Sequence, residues 1–311
     1  MQVFKLKKWV QRKTKMLFSP LFDHSIEQLT YHHRAEYLNN LAVNSNESGI
    51  SNAKYCNNEI IVSLTTYDRR LYDVYLAIES IMQQTMKPNR IILWLSNELK
   101  NADIPLVLQK QQKRGLEIRY CKDLRSYKKL IPALEAFPVD TIITIDDDCL
   151  YYFDLVENLV NSYKNNPNIV SCARMHRIKL LNNNTLEKYA KWTWRDDSCD
   201  ISPLVFPTGA GGVLYPPRCF NQEVFNEDVF FDICKYADDV WFKAMALLNN
   251  VLSRKIYTHN KNGDDFFTNN NIQDNALFKI NVNEGMNDIQ LKAVFDKYNL
   301  YNKLTSFYKH E

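Results

Sequence analysis

The chain has 311 residues, and the features it lacks already exclude several classes of protein. No apolar run approaches the ~20 residues that a helix needs to span a bilayer. The seven cysteines are an odd number, and no two of them have the Cys-x-x-Cys spacing. This pattern argues against a disulfide framework or a zinc site and fits a reducing cytoplasm.

Strong charge and a dinucleotide motif are also missing. The formal net charge of +3 is too small to predict binding to nucleic acid. No Gly-x-Gly-x-x-Gly follows the first predicted strand, which counts against a dinucleotide-binding Rossmann domain. We therefore expect a globular protein with one large α/β domain and additions, or two small domains, and no nucleic-acid partner.

The first 22 residues differ in composition from the rest of the chain. Six basic residues lie between Lys5 and Lys15, no acid occurs before Asp23, and apolar side chains such as Trp9 and Phe18 are interleaved. No continuous apolar stretch of a secretory signal is present. Such a segment either lies on an anionic membrane surface, which would place the protein at the inner face of the cytoplasmic membrane, or packs as an ordinary helix on the domain.

Strands and helices alternate along the first half of the chain. Apolar, β-favouring runs predict strands over 59–65, 90–95, 116–120 and 141–145, and apolar periodicity predicts helices over 71–84, 104–113 and 127–136. Alternation at this spacing predicts βαβ units and a mostly parallel sheet, which is an α/β fold.

The second half is less regular. It contains a predicted strand over 169–173, a helix over 236–249, and two predicted loops over 176–206 and 260–275. Trp192 and Trp194 lie in the first loop, where each side chain either stacks on a ligand or packs in the core. From these patterns we predict three parts: a basic, helical N-terminal segment with a polar linker, 1–58; a main domain, 59–260; and a C-terminal loop and helical extension, 261–311.

The most informative stretch is Thr141-Ile-Ile-Thr-Ile-Asp-Asp-Asp-Cys-Leu-Tyr-Tyr152, in which a buried strand runs into three consecutive carboxylates. Open α/β sheets bind ligands at the carboxyl edge of their parallel strands. Asp146 and Asp148 have the Asp-x-Asp spacing that lets two side chains reach one hard metal ion. The alternative is a solvated acidic turn before the helix that is predicted to start near Tyr152.

Glycine is scarce, and its distribution is uneven. Three of the seven glycines lie together in Thr208-Gly-Ala-Gly-Gly-Val-Leu-Tyr-Pro-Pro217. A concentration of this kind indicates that the backbone approaches a ligand or takes a positive φ, or else that a tight turn leads into a strand.

Other charged groups flank these motifs. Asp238 and Asp239 begin a predicted helix, where they either cap it or supply a general base. Arg125-Ser-Tyr-Lys-Lys-Leu130 opens a helix with three cations, which suits a diphosphate or a solvated surface. Thr65-Thr-Tyr-Asp-Arg-Arg70 follows the first strand, where nucleotide contacts usually fall. His176 and His259 are either ligands or structural residues.

Together these pieces resemble the GT-A-fold glycosyltransferases, specifically the family 2-like enzymes of bacterial surface-polysaccharide assembly, such as capsule and lipopolysaccharide. The resemblance spans roughly 59–260 and rests on seven stretches in the family's order. They are Ile61-Val-Ser-Leu-Thr-Thr-Tyr67, Ser80-Ile-Met-Gln-Gln-Thr-Met-Lys-Pro88, Ile91-Ile-Leu-Trp-Leu95, Lys129-Leu-Ile-Pro-Ala-Leu134, Ile145-Asp-Asp-Asp-Cys-Leu-Tyr151, Thr208-Gly-Ala-Gly-Gly212 and Ala237-Asp-Asp-Val-Trp241.

The resemblance implies a role for each matching residue. Asp148 and Asp146 would hold Mn²⁺ or Mg²⁺, and Asp239, with Asp238 beside it, would be the catalytic base. The implied nucleotide-sugar contacts are Thr65, Thr66, Tyr67, Arg69, Lys129, Asp146 and Asp147, and the implied acceptor-side loop contains Gly209, Gly211 and Gly212. Two positions depart from the family pattern, since Asp238 stands where Glu is commoner and Arg125-Ser126 where Gly-Pro is common.

The expected activity is metal-dependent, inverting transfer of a sugar from a nucleotide-diphosphate donor to a glycan or lipid-linked acceptor. Three alternatives stay open: a retaining transferase, a nucleotidyltransferase, and a non-catalytic, membrane-associated assembly protein.

Overall fold

A computed structural model describes residues 28–182, 185–258, 266–268 and 285–305. It confirms the predicted fold class, because a large, mostly parallel central sheet is flanked by helices. The basic segment 1–22 and its predicted membrane contact lie outside the described residues. Within the described ranges, no helix is both long and apolar enough to cross a membrane.

The central sheet has seven strands in the order β11-β6-β10-β4-β1-β2-β3 among the described residues. These strands are β1 (Ile60–Thr65), β2 (Arg90–Ser96), β3 (Leu116–Cys121), β4 (Thr141–Thr144), β6 (Val170–Cys172), β10 (Val213–Tyr215) and β11 (Ser253–Lys255). Strand β10 runs antiparallel to its neighbours β4 and β6, and the other pairs are parallel. The shorter strands outside this sheet are β5 (Cys149–Tyr151), β7 (Met175–Arg177), β8 (Thr193–Trp194), β9 (Val205–Pro207) and β12 (Phe266–Thr268).

Helices cover both faces of the sheet. Residues 28–44 form helix α1, and the later helices are α2 (Val74–Met82), α3 (Leu106–Gln112), α4 (Ile131–Ala136), α5 (Leu155–Asn165), α6 (Glu227–Ile233), α7 (Asp238–Leu248), α8 (Met286–Tyr298) and α9 (Tyr301–Thr305). One face of the sheet packs against α2, α3 and α5, and the other packs against α4, α6, α7 and α8 through a core rich in aromatic side chains. Because both faces are covered, the central strands are continuous apolar runs rather than alternating ones.

Parallel pairing aligns the ends of β1 and β4. Ser63 lies opposite Thr144 in the register, so the residues after Thr65 and those after Thr144 leave the sheet at the same edge. This pairing brings the segment from Thr66 to Arg70 next to the three acids at 146–148.

The predicted helix over 127–136 differs in the structure. Residues Arg125–Lys129 form a 3₁₀ turn, and α4 begins only at Ile131. Pro132 explains the break, because proline has no N–H and is tolerated only in the first turn of a helix. In the same way, α2 begins at Val74, three residues later than predicted, because a 3₁₀ turn over Asp68–Tyr72 precedes it.

Both predicted loops contain strands, so the loop predictions were incomplete. Strands β7, β8 and β9, which lie in or overlap 176–206, form a three-stranded antiparallel sheet. Within 260–275, β12 pairs with β5, while the rest of that range lies outside the described residues. These strands have only two or three residues each, which is too short for a period-two pattern to stand out in the sequence.

One buried arginine, Arg114, connects helix α1 and its linker to the main domain. Arg114, which follows α3, binds both carboxylate oxygens of Glu79 on α2 at 2.8 Å, and the two side chains are 3% and 0% exposed. The same guanidinium donates to the carbonyl oxygens of Glu47, at 2.8 Å, and Leu41, at 3.4 Å. The predicted division at residue 58 stays a prediction, but the described part of the N-terminal segment packs on the domain.

We expect Arg114→Met to lower the free energy of unfolding by about 3–5 kcal/mol, because Glu79 would stay behind as a buried, unpaired carboxylate. Urea denaturation measures the change. Lys292→Met, which removes the exposed Lys292–Asp296 pair, is the control and should cost less than about 0.5 kcal/mol. A loss of similar size in both variants would contradict the anchoring role of Arg114.

Candidate functional site

Three carboxylates occupy the turn between β4 and β5, at the carboxyl edge of the sheet. The side chains of Asp146, Asp147 and Asp148 are 29%, 7% and 17% exposed, so the turn is not simply solvated. Buried carboxylates at this density repel one another and need cations or protons to offset their charge.

Lys129 supplies one of those cations. Its Nζ lies 2.9 Å from Asp146 Oδ1 and 2.9 Å from Asp238 Oδ2, which joins the β4 turn to the start of α7. Burial opposes the charge of this ammonium, but attraction to Asp146, Asp238 and Asp239 outweighs it and raises the pKa of Lys129 well above its usual range. The carbonyl oxygen of Lys129 accepts a 2.7 Å hydrogen bond from Ser63 Oγ, so the lysine is fixed to β1.

Arg70 supplies the second cation. Its Nη1 lies 2.7 Å from Asp147 Oδ1 and 3.2 Å from Asp148 Oδ2, and its guanidinium lies 5.4 Å from the centroid of the Tyr67 ring. Thr66 Oγ1 donates to Asp147 Oδ2 at 2.7 Å. Arg69, the arginine assigned to the nucleotide site from the sequence, is exposed instead.

Asp239 combines a fixed position with an unusual pKa. Its Oδ2 accepts a 3.0 Å hydrogen bond from the backbone N–H of Gly209. Burial, and then the charge of Asp238, raise the pKa of Asp239 to about 7, against the opposing effect of Lys129. A carboxylate with this pKa can accept a proton near neutral pH, as a general base must.

Asp148 is shifted in the same direction. Burial and the charge of Asp146 raise its pKa to about 6, although Arg70 opposes the shift. The pKa of Asp147 is also raised, chiefly by burial, against the attraction of Arg70. Both shifts mean that the folded protein holds these acids at a cost while they are ionised and nothing further neutralises them.

The glycine-rich loop closes over this cluster, and two of its glycines leave no room for a side chain. A Cβ on Gly209 would lie 2.6 Å from Lys129 Nζ, 3.0 Å from Asp239 Oδ1 and 3.5 Å from Asp146 Oδ1. A Cβ on Gly211 would lie 2.4 Å from Arg174 Cβ, and Gly212 has a φ of +90°. The functional interpretation of the loop stays a prediction, but Gly209 lies so close to Lys129 and Asp239 that a Cβ at this position would displace at least one of the two side chains.

Other candidate residues lie at the edge of the cluster or outside it. Thr65 Oγ1 donates to the Trp94 carbonyl at 2.8 Å, and Tyr67 is about half exposed. Arg125 is exposed and lies over the ring of Tyr236, 5.5 Å from its centroid, so only Lys129 of that basic run reaches the acids.

His176 and the two tryptophans of the first predicted loop pack with neighbouring aromatic side chains. His176 stacks on Trp194 with ring centroids 4.8 Å apart, and its Nδ1 accepts the N–H of Arg195. Burial lowers the pKa of His176 to about 3, so the ring is neutral. Trp192 is 4% exposed and packs on Phe206. His259 lies outside the described residues.

The donor set suits a hard cation only in part. In the described ranges, no group of three or more His, Cys, Asp and Glu side chains could hold a metal ion. Carboxylate oxygens of Asp146 and Asp148 are the ligand type that Mg²⁺ and Mn²⁺ prefer, and Mg²⁺ is commonly bound by one or two carboxylates together with substrate phosphates. The residues therefore fit a cation that arrives with a phosphate ligand.

No protein family model and no curated protein matches the chain. Several solved structures match part of its backbone fold. Residues 1–349 of S. aureus TarS match with a TM-score of 0.43 and 13% identity, over 81% of this chain and 73% of that one. In complex with UDP, TarS 1–349 matches with a TM-score of 0.41 and 14% identity, over 67% and 59%. CMP:2-keto-3-deoxy-manno-octonic acid synthetase with CTP matches with a TM-score of 0.38 and 10% identity, over 65% and 90%.

The chain therefore spans less than two thirds of the TarS chain in the UDP complex. At these identities and TM-scores, no activity or residue role transfers from either enzyme.

The raised pKa of Asp239 makes a prediction about stability. Its folded pKa of about 7 exceeds the ordinary 3.8, so its contribution to stability is complete below the unfolded pKa and is lost as pH rises through about 7. We expect Asp239→Asn to gain stability relative to the unsubstituted protein as pH rises from about 5 to about 8. Urea denaturation across this range measures the difference. The control is Asp232→Asn on α6, which removes an exposed carboxylate and should not change in relative stability over the same pH range. A difference for Asp239→Asn that does not change with pH would contradict the assignment.

Proposed function

We propose that this protein is a metal-dependent, inverting glycosyltransferase that moves a sugar from a nucleotide-diphosphate donor to a glycan or lipid-linked acceptor in bacterial surface-polysaccharide synthesis. One observation carries the proposal: Lys129 holds Asp146 and Asp238 at one ammonium, next to Asp239, at the carboxyl edge of a parallel sheet. This arrangement supports a role for Asp146, with Asp148, as the proposed cation ligands and for Asp239 as the proposed base.

The donor side of the proposed site is the β4–β5 turn with the segment that follows β1. Open α/β sheets bind nucleotides at this edge. Thr66 and Arg70 fix Asp147 there, and Tyr67 presents a half-exposed ring beside Arg70. In the proposed complex the base and ribose lie along the segment from Thr65 to Arg70, and the diphosphate lies toward Asp146 and Asp148.

Asp146 and Asp148 would hold Mn²⁺ or Mg²⁺, which supplies charge neutralisation for a leaving diphosphate. The balance of charge supports such a cation. Five carboxylates, at 146–148, 238 and 239, meet two cationic side chains, Lys129 and Arg70, at this edge. An anionic diphosphate would be repelled unless positive charge came with it.

Asp239 takes the role of base. It removes the proton of an acceptor hydroxyl while that oxygen bonds to the anomeric carbon, and the bond from this carbon to the diphosphate oxygen breaks. Nucleoside diphosphate leaves with the bonding electrons, and the anomeric configuration inverts. The glycine loop over Gly209, Gly211 and Gly212 forms the acceptor side.

The lipid-linked acceptor is supported by the composition of the first 22 residues. Basic segments with interleaved aromatic side chains associate with anionic membrane surfaces. Such an association would bring the site close to an acceptor in the membrane.

A panel of nucleotide sugars incubated with purified protein and Mn²⁺ tests the proposal. We expect slow hydrolysis of one donor to nucleoside diphosphate, with loss of activity in EDTA and at least a 100-fold loss in Asp148→Ala, because several kcal/mol of charge stabilisation would be missing. Asp103→Ala, which removes an exposed acid before α3, is the control and should keep full activity.

Other outcomes identify the alternatives. Release of pyrophosphate from a nucleoside triphosphate would indicate a nucleotidyltransferase. Retention of configuration in the transferred sugar would overturn the role of Asp239 as base. The absence of both turnover and metal-dependent nucleotide binding would favour the non-catalytic assembly protein.

Arg70 and Arg69 offer a matched pair for a second test. Arg70→Gln leaves Asp147 and Asp148 without their cation and should lower the free energy of unfolding by about 2–4 kcal/mol, while the exposed Arg69→Gln should change it by less than about 0.5 kcal/mol. Because a divalent cation would replace the lost charge, Mn²⁺ should raise the melting temperature of Arg70→Gln more than that of Arg69→Gln. Equal Mn²⁺ responses, measured by differential scanning fluorimetry, would count against cation binding at these acids.

A further inference from the structure

Tyr151 connects the two sides of the cluster through its hydroxyl. This residue ends β5, three positions after the last of the acids, and its side chain is fully buried. Its hydroxyl oxygen accepts a 2.9 Å hydrogen bond from the backbone N–H of Asp146 and donates a 3.0 Å hydrogen bond to the carbonyl oxygen of Ala210. One phenol therefore binds the acid turn and the glycine loop at the same time.

The connection continues to the proposed base. Ala210 follows Gly209, whose N–H binds Asp239 Oδ2 at 3.0 Å. A short path of hydrogen bonds and peptide units thus leads from Asp146, on the proposed donor side, through the Tyr151 hydroxyl to Asp239, on the proposed acceptor side. Because a hydroxyl that donates and accepts at once polarises both bonds, the two contacts reinforce each other.

The ring of Tyr151 is fixed independently of this hydroxyl. Its backbone N–H donates to Ser80 Oγ on α2 at 3.1 Å, and its carbonyl oxygen accepts from Arg34 Nη2 of α1 at 3.4 Å. The ring packs near Phe266 of β12, with centroids 6.2 Å apart. These contacts hold the backbone and ring of Tyr151 without its hydroxyl, so the hydroxyl offers the two loops a common, well-packed partner.

We propose that Tyr151 is a positioning residue whose hydroxyl sets the separation between the metal-binding acid Asp146 and the base Asp239. The inference rests on the proposed function, and it assigns Tyr151 no contact with substrate. Misplacement of reacting groups by about 1 Å can cost a factor of about 100 in rate. Loss of this hydroxyl should therefore slow the reaction more than it weakens binding of the nucleotide.

The test compares Tyr151→Phe with Tyr298→Phe. The first variant keeps the buried ring and removes both contacts to the loops. The second removes a phenol hydroxyl that donates to Glu223 Oε2 at 2.8 Å, on α8 and away from the acids. Each is assayed well below its melting temperature, so that a difference in folded fraction does not enter the rates.

Two readouts are expected to change in Tyr151→Phe alone. With the donor that the panel identifies, kcat should fall at least tenfold while the KM for the donor changes by less than threefold. Amide hydrogen exchange at Asp146 and Gly209, measured without any substrate, should accelerate at least tenfold because both loops lose their common contact. Tyr298→Phe should leave both readouts unchanged.

The two readouts separate failure of this inference from failure of the proposed function. Unchanged exchange at Gly209 in Tyr151→Phe would overturn the inference whatever the activity. An active protein whose kcat is unaffected by Tyr151→Phe would also overturn it. If the unsubstituted protein turned over none of the donors, that result would instead count against the proposed function. The exchange data would still decide whether Tyr151 holds the two loops together.

Discussion

The site depends on one buried ammonium. Lys129 Nζ lies 2.9 Å from a carboxylate of the β4 turn and 2.9 Å from a carboxylate at the start of α7, two segments that are 92 positions apart in the chain, from Asp146 to Asp238. Without this charge, the two acids would repel each other in a poorly solvated place. The backbone of the lysine is in turn held by Ser63 of β1, which donates to its carbonyl oxygen, so an interior strand of the sheet helps to position the cation beside the acids. The side chain of Lys129 is only 7% exposed, so removing one of its carboxylate partners would lower the stability of the folded protein.

The balance of charge also explains why the pKa values of some of these acids are raised. Arg70 and Lys129 each contact two carboxylates, yet the pKa values of Asp148 and Asp239 stay raised, to about 6 and about 7. In both cases burial is the largest cause, and a neighbouring carboxylate adds to it. The excess negative charge can be offset by protons or by a cation. The proposed nucleotide-diphosphate donor would favour the cation, because protons would neutralise the acids without attracting a diphosphate.

Much of this arrangement could be predicted from the sequence, and the reasons are local. Buried parallel strands such as β1 and β4 are continuous apolar runs, so their ends, and the acids that follow, can be located by pattern alone. Lys129, Gly209 and Asp239 were also predicted as site residues, and the structure brings them together. The pairing of Arg70 with Asp147 and Asp148 could not be predicted, because it depends on a turn in which Asp68 has a φ of +47°. The role of Tyr151 could not be predicted either. Its hydroxyl reaches the backbone of Asp146 because the chain turns back through β5, and a three-residue strand is too short to show a sequence pattern.

Asp239 shows how competing effects set the strength of the proposed base. It lies in the first turn of α7, where the helix dipole favours a negative charge by about 0.3–1 kcal/mol, less than one pKa unit. The N–H of Gly209 and the ammonium of Lys129 act in the same direction, and both lower the pKa. Burial and the adjacent Asp238 act in the opposite direction and prevail, because the pKa rises from 3.8 to about 7. Gly209 contributes to this balance through its N–H, and a Cβ at that position would lie 2.6 Å from Lys129 Nζ and 3.0 Å from Asp239 Oδ1, so a side chain there would displace one or both of these groups. A base of this strength is ionised in a useful fraction near neutral pH and still accepts a proton readily, as the proposed role of Asp239 as general base requires.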